Sequence, residues 1–300
     1  METLPDLIIA PPGTPVPAPP DASAEGVEVW REHDESVCAL GHMAGGEHWF
    51  HLLGVGSFRF GESGAVVAVP DAGRDEEVVR DAYRRSVLPL VLQARGLEVL
   101  HASAVRAPHG VVALCAVKET GKTTLAYALS QRGYPLWADD AVVVETSAEP
   151  VRVRQLPFGM RLRPASAAFF GHDRQVGGSR RDPRAHVSGV AGDFDDAVPL
   201  AALYVLVRDE GVATGATVRP LSAARALTAV LAHAYCFSLA DEARKGRMMA
   251  QYLALVSRVP VHEVRFGTGL DRVPAILDAI ERTFAGVAPA SGTRAAVAGA

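Results

Sequence analysis

Gly121, Lys122 and Thr123 close the run AVKETGKT (Ala116–Thr123), and that order of residue types suits a phosphate-binding turn. The apolar run VVALCAV leads into it, and a helix-forming stretch, TLAYALSQRG, follows. A strand that turns tightly into a helix points several backbone N–H groups at one spot, where the helix dipole also favours negative charge. In that device the lysine reaches the β and γ oxygens of a nucleotide and the next hydroxyl coordinates Mg²⁺. The cradle candidates are therefore Lys118, Glu119, Thr120, Gly121, Lys122, Thr123 and Thr124, and the implied cofactors are ATP and Mg²⁺. Two positions depart from the usual pattern. Ala116 stands where such turns open on glycine, at a cost of about 1 kcal/mol if its φ must be positive. Glu119 brings negative charge to an anion site unless it points outward or Lys118 offsets it. A plain strand–helix connection is the alternative.

Further along, LWADDAVVVE places Asp139 and Asp140 at the start of an apolar run. Adjacent strand residues face opposite sides, so both carboxylates can serve one site only if the backbone bends there. One carboxylate suits Mg²⁺, a hard cation that wants oxygen ligands. The other can accept the proton of an attacking hydroxyl. An ordinary Asp-Asp turn is the alternative, and Asp209, ending the apolar run ALYVLVRDE, is the rival acid for a metal.

Three blocks together resemble the C-terminal domain of the HPr kinase/phosphorylase family and its serine-kinase relatives. They are LHASAV (Leu100–Val105), GKTTLA and RGYPLWADDAV, and the likeness spans Leu97–Arg163. The resemblance implies an α/β (α+β) fold with a P-loop nucleotide-binding core of the HPr kinase/phosphoenolpyruvate-carboxykinase-like type, in a domain over 97–285. It implies transfer of the γ-phosphoryl group of ATP to a hydroxyl, a serine of a peptide or protein. It carries a catalytic role to His101 beside the aspartates, a cradle role to Lys122 and a metal role to Thr123. It carries the paired acids to Asp139 and Asp140 without ordering them; Asp139 stands with Thr123 on the metal side, and both remain candidates for the base. The chain departs from the family after the acids, where VRVRQLPFGMRLRP has Gln155 and no glutamate, which counts against phosphorylase activity. Arg161 and Arg163 are candidates for phosphate contact or plain surface charges. A nucleotide-binding regulator without transferase activity, and a kinase of a small metabolite or sugar hydroxyl, are the other readings.

The elements that must position these residues follow from periodicity. Residues 1–25 are rich in proline and small side chains from Pro11 on and read as an extended, disordered leader. Short apolar runs between Gly-containing breaks over Val27–Val69 read as antiparallel strands, a small β-rich subdomain within 26–96. EEVVRDAYRRSVLPLVLQARG has helical spacing, a bend expected near Pro89 and Gly96 as its cap. LEVLHASAV, GVVALCAV, WADDAVVVE, VRVRQLP, PLAALYVLV and VHEVRF read as strands. LSAARALTAVLAHAYCF, DEARKGRMMAQYLALVSRV and VPAILDAIERTFA read as helices, so a mixed sheet with flanking helices is expected. The polar stretch from Phe170 to Val198, with Arg174, Arg180, Arg181 and Arg184, reads as a long loop, either solvated or an anion-contacting lid. Residues 286–300 read as a disordered tail.

Composition narrows the classes. A net charge of -4 gives no bulk reason to expect nucleic acid or an anionic membrane as partner. Cys38, Cys115 and Cys236 form no CxxC pair, which fits a reducing cytoplasm. No window approaches the ~18 apolar residues of a membrane span. His48, His51 and His262 alternate with apolar neighbours and imply no metal; His233, Tyr235, Cys236 and Phe237 read as packing, and Arg244, Lys245 and Arg247 as a solvated helix face. The expected partner is a peptide, protein or small-molecule acceptor bearing a hydroxyl, with a homo-oligomer left open.

Overall fold

The computed structural model describes residues 4–11, 13–31, 35–172, 185–190, 194–212, 214–236 and 241–284. The N-terminal third is built on a six-stranded sheet. Its strands are β1 (Leu7–Ile9), β2 (Glu28–Arg31), β3 (Val37–Ala44), β4 (Glu47–Leu52), β5 (Gly56–Phe60) and β6 (Val66–Pro70), in the order β1-β6-β5-β4-β3-β2. Strands β2 to β6 form an antiparallel meander, whereas β1 runs parallel to β6. The disordered leader expected over residues 1–25 is thus corrected at Leu7–Ile9. That apolar triplet pairs with Val66–Ala68, where its backbone groups gain partners.

Alternation decides which face is covered. Phe50 opposes Phe58, which opposes Ala68, and all three are buried against Val79, Tyr83, Val87 and Leu88. Those four come from the bridging helix, which is α1 (Glu76–Ala82), a π-helical turn (Tyr83–Val87) and α2 (Leu88–Ala94). The expected irregularity is present: the π-helical turn lies just before Pro89, on the N-terminal side where a proline's missing N–H and ring disturb a continuous helix. Gly96, at φ +92°, ends the helix as expected.

The rest of the described chain is built on a mixed sheet that divides. On one side, β10 (Leu136–Ala138), β8 (Ala102–Ala107), β9 (Gly110–Cys115), β15 (Val198–Arg208), β17 (Val261–Phe266) and β16 (Ala216–Pro220) lie side by side. On the other, β12 (Arg152–Arg154), β11 (Val142–Glu145) and β7 (Glu98–Leu100) continue from the start of β15. Strands β9, β15 and β17 are mutually parallel and the remaining pairs antiparallel, so the chain is a mixed α+β fold. The run VVALC of β9 is apolar throughout because both faces are covered. Val112 and Leu114 pack under α3 (Lys122–Gln131) and α7 (Val273–Phe284), while Val111, Ala113 and Cys115 pack on α5 (Ala223–Leu231) and α6 (Glu242–Arg258).

Two segments differ from expectation. LEVLHASAV is not one strand but β7 and β8, broken at His101, and WADDAVVVE is β10 and β11, broken at Asp139–Ala141. Each segment crosses from one part of the divided sheet to the other. Within Phe170–Val198, Ala185–Val190 forms β14, paired with β13 (Phe158–Leu162), so that stretch is not a continuous loop. A short helix, α4 (Pro164–Phe169), follows β13. Arg174, Arg180, Arg181 and Arg184, Phe237 and the tail 286–300 lie outside the described residues. Arg244 is not on a solvated face: it is buried and pairs with Glu98 at 2.8 Å, tying α6 to β7.

Desolvation holds the half-buried His48, His101 and His262 below their ordinary value and lowers the buried His51 and His233 to about 4. A group whose folded value lies below its unfolded one binds its proton later than the unfolded chain does. Stability is therefore lost as pH falls below about 6.5, by up to ~1.4 kcal/mol per pH unit and group. Burial raises Glu98 and Asp139, which act in the opposite sense but are fewer. The thermal midpoint, followed by circular dichroism, should fall between pH 7 and pH 5, and His233→Gln should flatten that slope; a midpoint that rises on acidification contradicts this.

Candidate functional site

The turn between β9 and α3 lies beside the division of the sheet. Ala116 is fully buried and keeps ordinary backbone angles, so the expected strain there does not arise. The left-handed positions are Glu119 (φ 72°) and Gly121 (φ 119°). Gly121 is the N-cap of α3 and offers no side-chain acceptor, which leaves the first-turn amides facing the cleft. Lys118 to Thr124 all line one cleft of about 470 Å³, together with His101, Asp140, Arg161, Arg163, Ser166 and Arg208. Its lining also includes the apolar side chains of Phe266, Leu270, Val273 and Ile276.

Asp139 sits behind the turn. Its Oδ1 accepts hydrogen bonds from Thr123 Oγ1 at 2.9 Å and from Ser103 Oγ at 2.7 Å. Burial and the neighbouring Asp140 raise its pKa, partly offset by those two hydroxyls and by Arg85. Asp140 faces the cleft instead, because its own backbone is left-handed at φ 65°. The bend that two adjacent acids require is therefore made at the second one. Asp140 Oδ2 accepts from Arg85 Nη1 at 2.9 Å. Its main-chain oxygen accepts from His101 Nδ1 at 3.0 Å and from the Tyr235 hydroxyl at 3.2 Å.

Lys122 Nζ lies 3.0 Å from His101 Nε2 and 3.0 Å from the Ala116 carbonyl. With Nδ1 donating to Asp140, Nε2 is the acceptor for the ammonium, so the network assigns His101 as the neutral Nδ1–H tautomer. Burial and the Lys122 charge both hold His101 below its ordinary value, in keeping with that assignment. Burial also lowers Lys122, against the pull of Asp140, Cys115 and Asp139.

Every candidate cradle residue thus lines one cleft with His101 and Asp140, and Asp139 is tied to that cleft through Thr123. The rival Asp209 does not: it accepts the Gly211 N–H and faces Arg265. Gln155 donates to the Trp137 carbonyl beneath the acids. Sequence reasoning missed Arg85, Ser103 and the polar role of Tyr235. Ser103 stands in LHASAV two residues after His101, a spacing that places both on one side of the segment. Arg85 gave no signal, because its bond to Asp140 spans 55 residues.

Among the described residues no cluster of three or more His, Cys, Asp or Glu is arranged to hold a metal alone. The donors beside the turn are Thr123 and the two aspartates, all oxygen. Mg²⁺ typically takes one or two carboxylates and completes its shell with waters and phosphate oxygens. That donor set fits Mg²⁺ as the companion of a phosphate ligand. Among the described residues, no helix is long and apolar enough to cross a membrane.

No protein-family model matches this chain, and no curated protein sequence matches it. A solved structure of the Hpr(Ser) kinase/phosphatase from Coxiella burnetii superposes with a TM-score of 0.34 at 13% identity, covering 63% of this chain and 97% of that one. A superposition so loose assigns no residue roles.

Left-handed backbone costs about 1–3 kcal/mol for most residues but is tolerated by asparagine. Asp140→Asn should therefore leave the denaturant midpoint nearly unchanged, whereas Asp140→Val should destabilise by roughly 1–3 kcal/mol. Equal midpoints for the two variants would show that the bend is not held at this residue.

Proposed function

We propose that the cleft carries out ATP- and Mg²⁺-dependent phosphoryl transfer to a hydroxyl, with a serine of a peptide or protein as acceptor. The observation that carries this reading is the 2.9 Å bond from the Thr123 hydroxyl to Asp139, with Asp140 turned into the same cleft. That arrangement supports a phosphate turn with an oxygen-lined metal position beside it and a second acid on the same cleft.

In this reading Lys122 and the amides of the turn bind the β- and γ-phosphates, where an anionic ligand also favours the ammonium form of the buried lysine. Thr123 and Asp139 would hold Mg²⁺, which when bound draws charge off the phosphate oxygens. Arg85 takes up one oxygen of Asp140 and leaves the other for the acceptor hydroxyl, whose proton Asp140 receives. His101 and Tyr235 act on the Asp140 carbonyl and so hold the acid in its bent position. Catalysis of this kind is mostly positioning and charge neutralisation.

The Asp140–Arg85 pair also favours a second reading, a nucleotide-dependent regulator in which the acid is kept from reacting. A third reading keeps the chemistry and gives it a small metabolite or sugar hydroxyl as acceptor. Incubation with Mg²⁺ and γ-labelled ATP separates these. Label should pass to a serine of candidate peptides, and Lys122→Ala and Asp140→Asn should each lower transfer by ~100-fold or more with the melting midpoint preserved. Retained turnover in either variant overturns the assignment, ATP binding without labelled product selects the regulator, and label in a small molecule selects the third reading.

A further inference from the structure

Glu119 sits at the mouth of the cleft with its backbone left-handed, and its side chain turns from the phosphate turn to the opposite wall. Its Oε1 accepts a hydrogen bond from Arg163 Nη2 at 2.6 Å. Its main-chain oxygen accepts one from Arg208 Nη2, also at 2.6 Å. Arg163 follows β13 as the N-cap of α4, and Arg208 ends β15, so two different elements converge on a single acidic residue of the turn. The carboxylate on Arg163 occupies the place of an anion in a cleft whose floor is made for anions. The two side chains are 48% and 53% exposed, and an ion pair so exposed is weak and readily exchanged. Arg208 grips the peptide oxygen rather than the carboxylate, so it can keep the turn in place while the Glu119 side chain leaves.

We propose that Arg163 is the seat for the terminal phosphate of a bound nucleoside triphosphate, and that Glu119 holds this seat in the free protein. The pair makes the cleft selective. A ligand with a third phosphate displaces the carboxylate and gains Arg163, while a diphosphate leaves the internal pair intact. This explains why an acid is tolerated in an anion-binding turn: its charge is spent on Arg163 until the competing anion arrives. The inference rests on the nucleotide-binding reading above and assigns the residues that set selectivity within it.

Calorimetric titration of the full chain with ATP, ADP and inorganic tripolyphosphate, each with Mg²⁺, tests it. Glu119→Gln keeps the side-chain length and should tighten ATP and tripolyphosphate by about 3- to 10-fold and ADP by less. Arg163→Gln should weaken ATP more than ADP. In the double variant the gain from Glu119→Gln should vanish, since its target is gone. A gain that persists without Arg163 means simple repulsion between Glu119 and phosphate and overturns the proposal, as do unchanged affinities in Glu119→Gln or equal losses of ATP and ADP in Arg163→Gln. If the wild-type chain binds none of the three ligands while its melting curve is cooperative, the nucleotide reading itself fails and the proposal with it.

Discussion

The site depends on where the sheet divides. Two neighbouring segments, β7–β8 and β10–β11, change from one part of the sheet to the other at the same level. Leu100 pairs with Val142 on one side of the change and Ala104 with Ala138 on the other. A residue inside a continuous ladder spends its backbone groups on its neighbours. Residues at the division are released from that duty. The His101 N–H goes to the His233 carbonyl, and the Asp140 carbonyl is taken by two side chains. The catalytic candidates stand at the two positions where the ladder cannot be completed, and the β9–α3 turn opens beside them.

Polar groups placed there are costly unless partnered, and the partners come from far apart in the chain. Asp139 rests on hydroxyls from β8 and α3, Asp140 on a guanidinium from the bridging helix, and Lys122 on an imidazole from the β7–β8 break. The two acids therefore have different surroundings although they are adjacent. Asp139 is enclosed and held by neutral donors, and Asp140 is at the cleft surface beside a cation. Environments that separate two carboxylates in this way are the usual basis of distinct chemical roles for a matched pair. Arg85 also ties the bridging helix to the site. Its Nε pairs with Asp81, which in turn receives Arg161 from the cleft wall, so α1, the π-helical turn and β13 share one charged network. Such π-helical turns are often found at functional sites.

Much of this was legible in the sequence where the signal was local. AVKETGKT between an apolar run and a helix-forming run placed the turn, and DD after LWA placed the acids, because strand, turn and helix each leave a short-range pattern. The breaks inside LEVLHASAV and WADDAVVVE were not legible. Both runs keep the apolar character of a strand across the break, and only pairing with different partners reveals that the sheet has divided. Ala116 looked like a strained substitution, yet the left-handed angles fall at Glu119 and Gly121, and no composition rule predicts which peptide of a turn is inverted. β1 and β14 were hidden in stretches whose proline, glycine and charge content outweighed a few β-forming residues.

The proposed phosphoryl transfer requires the turn at Gly121 to wrap a triphosphate, with Lys122 on one flank and the two acids on the other. A crystal structure with Mg²⁺ and a non-hydrolysable ATP analogue tests it most directly. The β- and γ-phosphates should lie against the amides of residues 119–123, with the Lys122 ammonium moved from His101 to phosphate oxygen and the metal about 2.1 Å from the Thr123 hydroxyl. Nucleotide bound elsewhere, or Lys122 still on His101 beneath a fully occupied cleft, would contradict it.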